Sequence, residues 1–167
     1  IDPEDGNTQL ALAEIYSAQG KTEQSNKALE KGFSDPNSSV NTKLQILVSI
    51  IESKDVKVNT DLLTSKLQSA HPTKADVWKI YGDLANAKGL SAEAIGHYKR
   101  ALKIEPNDLN LWLTVINREV KAGAFENLKK TGKDAQLLFP LQPEFYLYEG
   151  IALAKLGEAD KAISSLE

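Results

Sequence analysis

Apolar residues recur at three- and four-residue intervals through most of this chain. From Lys74 to Lys88 they fall at Val77, Trp78, Tyr81, Leu84, Ala85 and Ala87, a spacing that predicts a helix. After Gly89 the rhythm restarts at Ala94, Ile95, Tyr98, Ala101, Leu102 and Ile104, predicting a second helix that Pro106 stops. Gly89 suits the left-handed position that ends the first helix. Ser91 is expected to cap the second. Each helix carries one apolar stripe, so the pair should fold back as a hairpin. Gly82 and Ala94 would lie where the two axes meet, with Trp78, Tyr81 and Tyr98 filling the flanks.

The pattern is periodic. Trp78, Gly89 and Pro106 recur 34 residues later as Trp112, Gly123 and Pro140, and the first two recur again as Tyr146 and Gly157. A fixed period with constant phase predicts an array of stacked helical hairpins, without a single central core. Upstream, Leu44, Leu47, Ile51, Leu67 and Pro72 keep the phase, as do Leu12, Ala13, Tyr16, Gly20, Leu29 and Pro36. Units are expected at 6–36, 37–74, 75–108, 109–142 and 143–167 of a single array over 1–167, the second degenerate and the last truncated. Residues 1–5 read as the tail of an earlier repeat ended by Asp2-Pro3, and the chain reads as a fragment.

Trp78, Tyr81-Gly82, Gly89, Ala94, Tyr98, Ala101 and Pro106 resemble the tetratricopeptide-repeat pattern at every diagnostic spacing. The resemblance covers essentially the whole chain. It implies an all-α solenoid of about five antiparallel helix-turn-helix hairpins in a right-handed superhelix. Two units depart from the pattern. In the fourth, bulky Ile116 and Leu128 stand at the small positions and Gly132 replaces the aromatic, so the bulky pair is expected to fill the aromatic's space. In the second, Val48 and Thr60 take the small positions, and Ser53 to Asn59 replace the glycine turn. Pro36 and Pro72 are 36 residues apart there, so a longer first helix or a looser turn is expected.

Composition narrows the function classes. The 167 residues are 41% hydrophobic and 26% charged, with a net charge of -3. That balance opposes nucleic acid as the main partner, and no basic run offers a membrane tether. No apolar stretch is long enough to span a bilayer. The absence of cysteine excludes disulfides, thiolate metal sites and cysteine nucleophiles. The two histidines, His71 and His97, read as isolated surface residues, with His97 facing outward. No phosphate loop, nucleophile elbow or carboxylate pair stands out, so no enzyme, cofactor or metal is expected. Asn37-Ser38-Ser39 fits a glycosylation acceptor and reads as turn chemistry.

The resemblance implies that partners bind a concave face lined by each unit's first helix. That face maps to Leu10, Glu14 and Ser17, then to Gln45, Ser49 and Glu52. It continues through Lys79, Asp83 and Asn86, then Leu113, Asn117 and Lys121, then Leu147, Tyr148 and Ile151, with Lys155 at its end. Residues 79–151 of this strip are the candidate partner-binding site, more apolar toward the C-terminal end, where a peptide with apolar anchors would suit it. A chaperone-tail clamp is disfavoured. Lys79 matches one of its positions, but Asp83, Thr114, Glu144 and Tyr148 stand where amide or basic residues belong. The expected function is therefore a non-catalytic protein- or peptide-binding module or assembly scaffold. A recruiting arm of a larger enzyme and an envelope-associated assembly factor remain open. Compartment and oligomeric state are unspecified.

Overall fold

The computed structural model describes residues 4–53 and 57–166. The expected Asp2-Pro3 terminator lies outside them. Among the described residues there are ten helices and no strand. Five hairpins follow: α1 (Gly6–Ala18) with α2 (Thr22–Ser34), α3 (Val40–Ser53) with α4 (Thr60–Ala70), α5 (Ala75–Ala87) with α6 (Ser91–Ile104), α7 (Leu109–Ala122) with α8 (Phe125–Leu138), and α9 (Pro143–Lys155) with α10 (Ala159–Leu166). The chain divides after Val77 into two compact units.

In the first unit, Asp5 caps α1 by accepting from the Thr8 N–H at 2.9 Å, and Asn59 caps α4 through the Leu62 N–H at 3.0 Å. Leu10 was expected on the binding strip, but it is 2% exposed. Gly32 causes this inversion: a Cβ there would meet the Leu10 Cδ2 at 2.5 Å, so the leucine occupies space the glycine leaves. Ser25 locks the hairpin by donating to the Ala13 carbonyl at 2.9 Å. The Asn37 turn is closed by the Asn37 N–H on Asp35 Oδ1 and by buried Ser38 donating to the Gly32 carbonyl. The longer first helix or looser turn expected in the second unit of the period falls on the connection after Ser53, whose residues 54–56 lie outside the described residues. Helix α3 has 14 residues, as does α7.

In the second unit the period has clear causes. Gly89, Gly123 and Gly157 adopt φ of 77°, 65° and 80°, as Gly20 does at 70° in the first unit. Ser91 is not the cap. Leu90 takes that position, because its N–H reaches back past Gly89 to the Ala85 carbonyl at 2.8 Å and starts α6 one residue earlier. Gly82 lies beneath the Tyr98 ring, where a Cβ would sit 2.3 Å from Tyr98 Cε1. In the next hairpin Ile116 and Leu128 are completely buried, together with Ala135, Phe145 and Ala152. Gly132 opens toward α9, whose Phe145 carbonyl and Glu149 Cβ would lie 3.2 and 3.3 Å from an added methyl. The proline and the aromatic are also joined. Trp112 Nε1–H donates to the Pro106 carbonyl at 2.7 Å, and the Tyr146 hydroxyl donates to the Pro140 carbonyl at 3.1 Å.

Candidate functional site

Helices α5, α7 and α9 supply the candidate strip. Apart from Lys121, its polar members are engaged with one another, with their own hairpins or with neighbouring turns. Lys79 pairs with Glu105 at 3.3 Å and Asp108 at 3.0 Å. Asp83 accepts from the Tyr98 hydroxyl at 2.6 Å, and burial with that carboxylate neighbour raises the phenol's pKa. Asn86 Oδ1 accepts from the Arg118 guanidinium, linking α5 to α7. Asn117 Oδ1 accepts from the Tyr148 hydroxyl at 3.2 Å, linking α7 to α9. Leu113 and Tyr148 pack partly against the core. Leu147 is 48% exposed, Ile151 half-buried and Lys121 exposed. Thr114, a failed clamp position, spends its hydroxyl on the Asn110 carbonyl.

Both histidines differ from their surface reading. His97 is half-buried in an aromatic cluster, with ring centroids 5.9 Å from Trp78 and 5.1 Å from Tyr81. Arg100 lies over the Trp78 face at 4.7 Å. Desolvation, then Arg100, lowers the His97 pKa. His71 is buried, and its Nε2 lies 2.8 Å from Lys43 Nζ. Lys43 is itself fully buried and donates to the Asp35 carbonyl at 2.5 Å. Sequence reasoning missed this cluster. The available signal was spacing: Lys43 precedes buried Leu47 by one helical turn and so shares its inward face.

Two open grooves stand out. One, of about 1480 Å³, lies along α8, α9 and α10 in the second unit. Its charges largely answer one another, with Lys129 2.8 Å and Lys161 2.7 Å from Glu158. The other, of about 610 Å³, lies among α1, α2 and α3 in the first unit. Among the described residues no group of three His, Asp or Glu side chains could hold a metal ion, and no helix is long and apolar enough to cross a membrane.

No family model and no curated protein matches the sequence. Solved structures do. A crystal structure of MamA is 17% identical, with a TM-score of 0.59 over 98% of this chain and 89% of that one. YrrB, described as a TPR protein with an unusual peptide-binding site, is 14% identical, with a TM-score of 0.59 over 98% of this chain and 84% of that one. This chain has the tetratricopeptide-repeat fold. A chain in the structure of Naa15/Naa10 bound to HypK-THB matches 96% of it with a TM-score of 0.68 and 16% identity, through only 24% of its own length. In this tetratricopeptide fold the Trp-to-Pro phase is a hydrogen bond, and the Gly phase is a left-handed turn.

Proposed function

We propose that the chain is a non-catalytic interaction module that binds a protein or peptide on the first-helix face of α5, α7 and α9. The observation that carries this reading is the tying of three helices into one surface. The Asn86–Arg118 and Asn117–Tyr148 hydrogen bonds fix α5, α7 and α9 side by side. Leu113 and Ile151 then supply apolar anchors beside polar groups whose orientations are already set, and Leu147 adds an exposed one where α9 borders the groove along α8 and α10. Such preorganisation lowers the entropy lost on binding. The peptide-binding description of YrrB, which shares the fold, agrees with this use of the array.

A display of helical and extended peptides, sorted on the immobilised chain, tests the reading. Peptides retained by the wild type should be lost by Leu147→Asp and by Leu113→Asp with Ile151→Asp, while circular dichroism stays unchanged. Leu147 is already half exposed, so its substitution leaves the fold intact. Peptides held equally by every folded variant would move the site off this face.

A further inference from the structure

The turn between α8 and α9 carries an apolar tip. Leu137 is 83% exposed, Leu138 42% and Leu141 92%. Position for position, the preceding repeat has Lys103, Glu105 and Asn107 where this one, 34 residues on, has Leu137, Phe139 and Leu141. Phe139 has a use inside the fold, since its ring centroid lies 5.9 Å from that of buried Phe145. Leu137 and Leu141 have none, and water covers nearly all of both. Single exposed apolar residues are ordinary, but a cluster of them marks a contact surface.

The charges beside the tip have an order. Lys130 and Lys133 precede Leu137 by two helical turns and one, on the same exposed stripe of α8. Glu144 follows Leu141 by three residues, exposed in the first turn of α9. Among the described residues Lys130, Lys133 and Glu144 form no hydrogen bond or ion pair, whereas neighbouring Lys129 is held by Glu126 and Glu158. Asp134, also exposed, stands four residues after Lys130 and offsets it along the helix. The segment thus runs basic, apolar, acidic. That order is its own complement when two copies meet antiparallel about a two-fold axis. We infer that this turn is a self-association surface, where two copies of the chain pair through Leu137 and Leu141 while Lys133 of each meets Glu144 of the other. Neither leucine lies on a first helix, so this surface is separate from the partner face proposed above. Three leucines make a small patch, well short of the roughly 800 Å² that each partner of a stable complex buries. The pairing therefore belongs to the weak, reversible class and shows at high concentration. A lipid surface is a poorer match, because Asp134 and Glu144 stand beside the tip and the chain carries a net charge of -3.

Sedimentation velocity of the full chain, from about 10 μM to about 1 mM, is the test. The wild type should pass from monomer towards dimer across that range. Leu141→Ser should weaken dimerisation by about tenfold or more. Ile15→Ser and Ile163→Ser, at exposed apolar residues elsewhere, should leave it unchanged. Lys133→Glu and Glu144→Lys should each stay monomeric alone yet dimerise when mixed, because each then presents the charge that the other needs. All of these side chains are exposed, so the variants keep the fold, as circular dichroism would check. A wild type that stays monomeric to about 1 mM overturns the inference. So does a dimer that Leu141→Ser leaves intact, or a pair of charge variants that associate no better together than apart. Flotation of a monomeric wild type with phosphatidylcholine vesicles, lost in Leu141→Ser, would overturn it by giving the tip to a lipid surface.

Discussion

Lys43 is fully buried, with its ammonium 2.8 Å from His71 Nε2 and 2.5 Å from the Asp35 carbonyl. Burial brings its pKa down to about 8 against the opposing pull of the Asp35 carboxylate. His71 is lowered by desolvation, then by Lys43 and Lys74, with Asp35 opposing. Both shifts mean that the unfolded chain holds its proton more tightly, so stability rises with pH wherever either group titrates. The histidine contribution is complete above about pH 6.5 and is lost as pH falls through the lower folded value. The lysine adds a second rise from about pH 8 to 10.5, where the folded amine is neutral and the unfolded one still charged. Denaturant melts across pH should show both limbs. His71→Gln, which keeps an acceptor for Lys43, should remove the acid limb, and Lys43→Met the alkaline one. Little of this was legible in the sequence. A lysine ordinarily reads as solvated, and the groups that engage Lys43 are the Asp35 carbonyl just after α2 and the His71 ring just after α4, a meeting that no local pattern records. His97 was misread for a similar reason, since its stacking partners Trp78 and Tyr81 lie on another helix.

Between elements, the joints are few and specific. Trp112 fastens the start of α7 to the Pro106 carbonyl that closes the preceding turn. Trp112→Phe keeps a ring but removes the donor, and should cost about 1 kcal/mol in urea denaturation. Lys99 fastens α6 to α7 by reaching the fully buried Glu119 at 2.6 Å, with Thr131 also donating to that carboxylate. Lys99→Met would strand a buried charge. Because Lys99 is 36% exposed, the loss should fall below the roughly 3–5 kcal/mol of a fully buried pair, with Glu119→Gln in the same background recovering part of it. Within the α5–α6 hairpin, Gly82→Ala must displace a Tyr98 ring that is 2% exposed and tied to Asp83. Overpacking of about 1–3 kcal/mol should outweigh the roughly 1 kcal/mol gained in helix propensity, lowering the melting temperature. Helix pairing and turn type were readable because proline, glycine and the aromatic each do one local job at a fixed spacing. The Ser91 cap was misassigned because the Gly89 turn extends its last hydrogen bond through Leu90, a reach that no residue preference records.

For the molecule as a whole, the 34-residue period conveyed the all-α repeat fold, but not which surfaces stay open. The candidate strip was found by register, yet register could not show that Asn86 and Asn117 hold neighbouring helices while Gln45 and Ser49 hold nothing. It also could not show that α3 buries Leu47 and Lys43 but leaves Val48 exposed and its other apolar residues half-buried. Stability in such an array is a sum of local terms. Leu10→Ala should therefore speed amide exchange in α1 and α2 and leave α7, α8 and α9 unchanged, as mass-resolved hydrogen exchange would show. The two kinds of turn differ in one further respect. At Pro106 the carbonyl is gripped by the next repeat's tryptophan, so lengthening the chain there breaks a contact as well as the period. At Gly89 and Gly157 an added Cβ would meet nothing within 4 Å. The second unit thus has a fastened kind of turn and an uncrowded kind, and a foreign loop grafted at the uncrowded kind meets no steric obstacle but must keep the left-handed glycine and the hydrogen bond that closes over it.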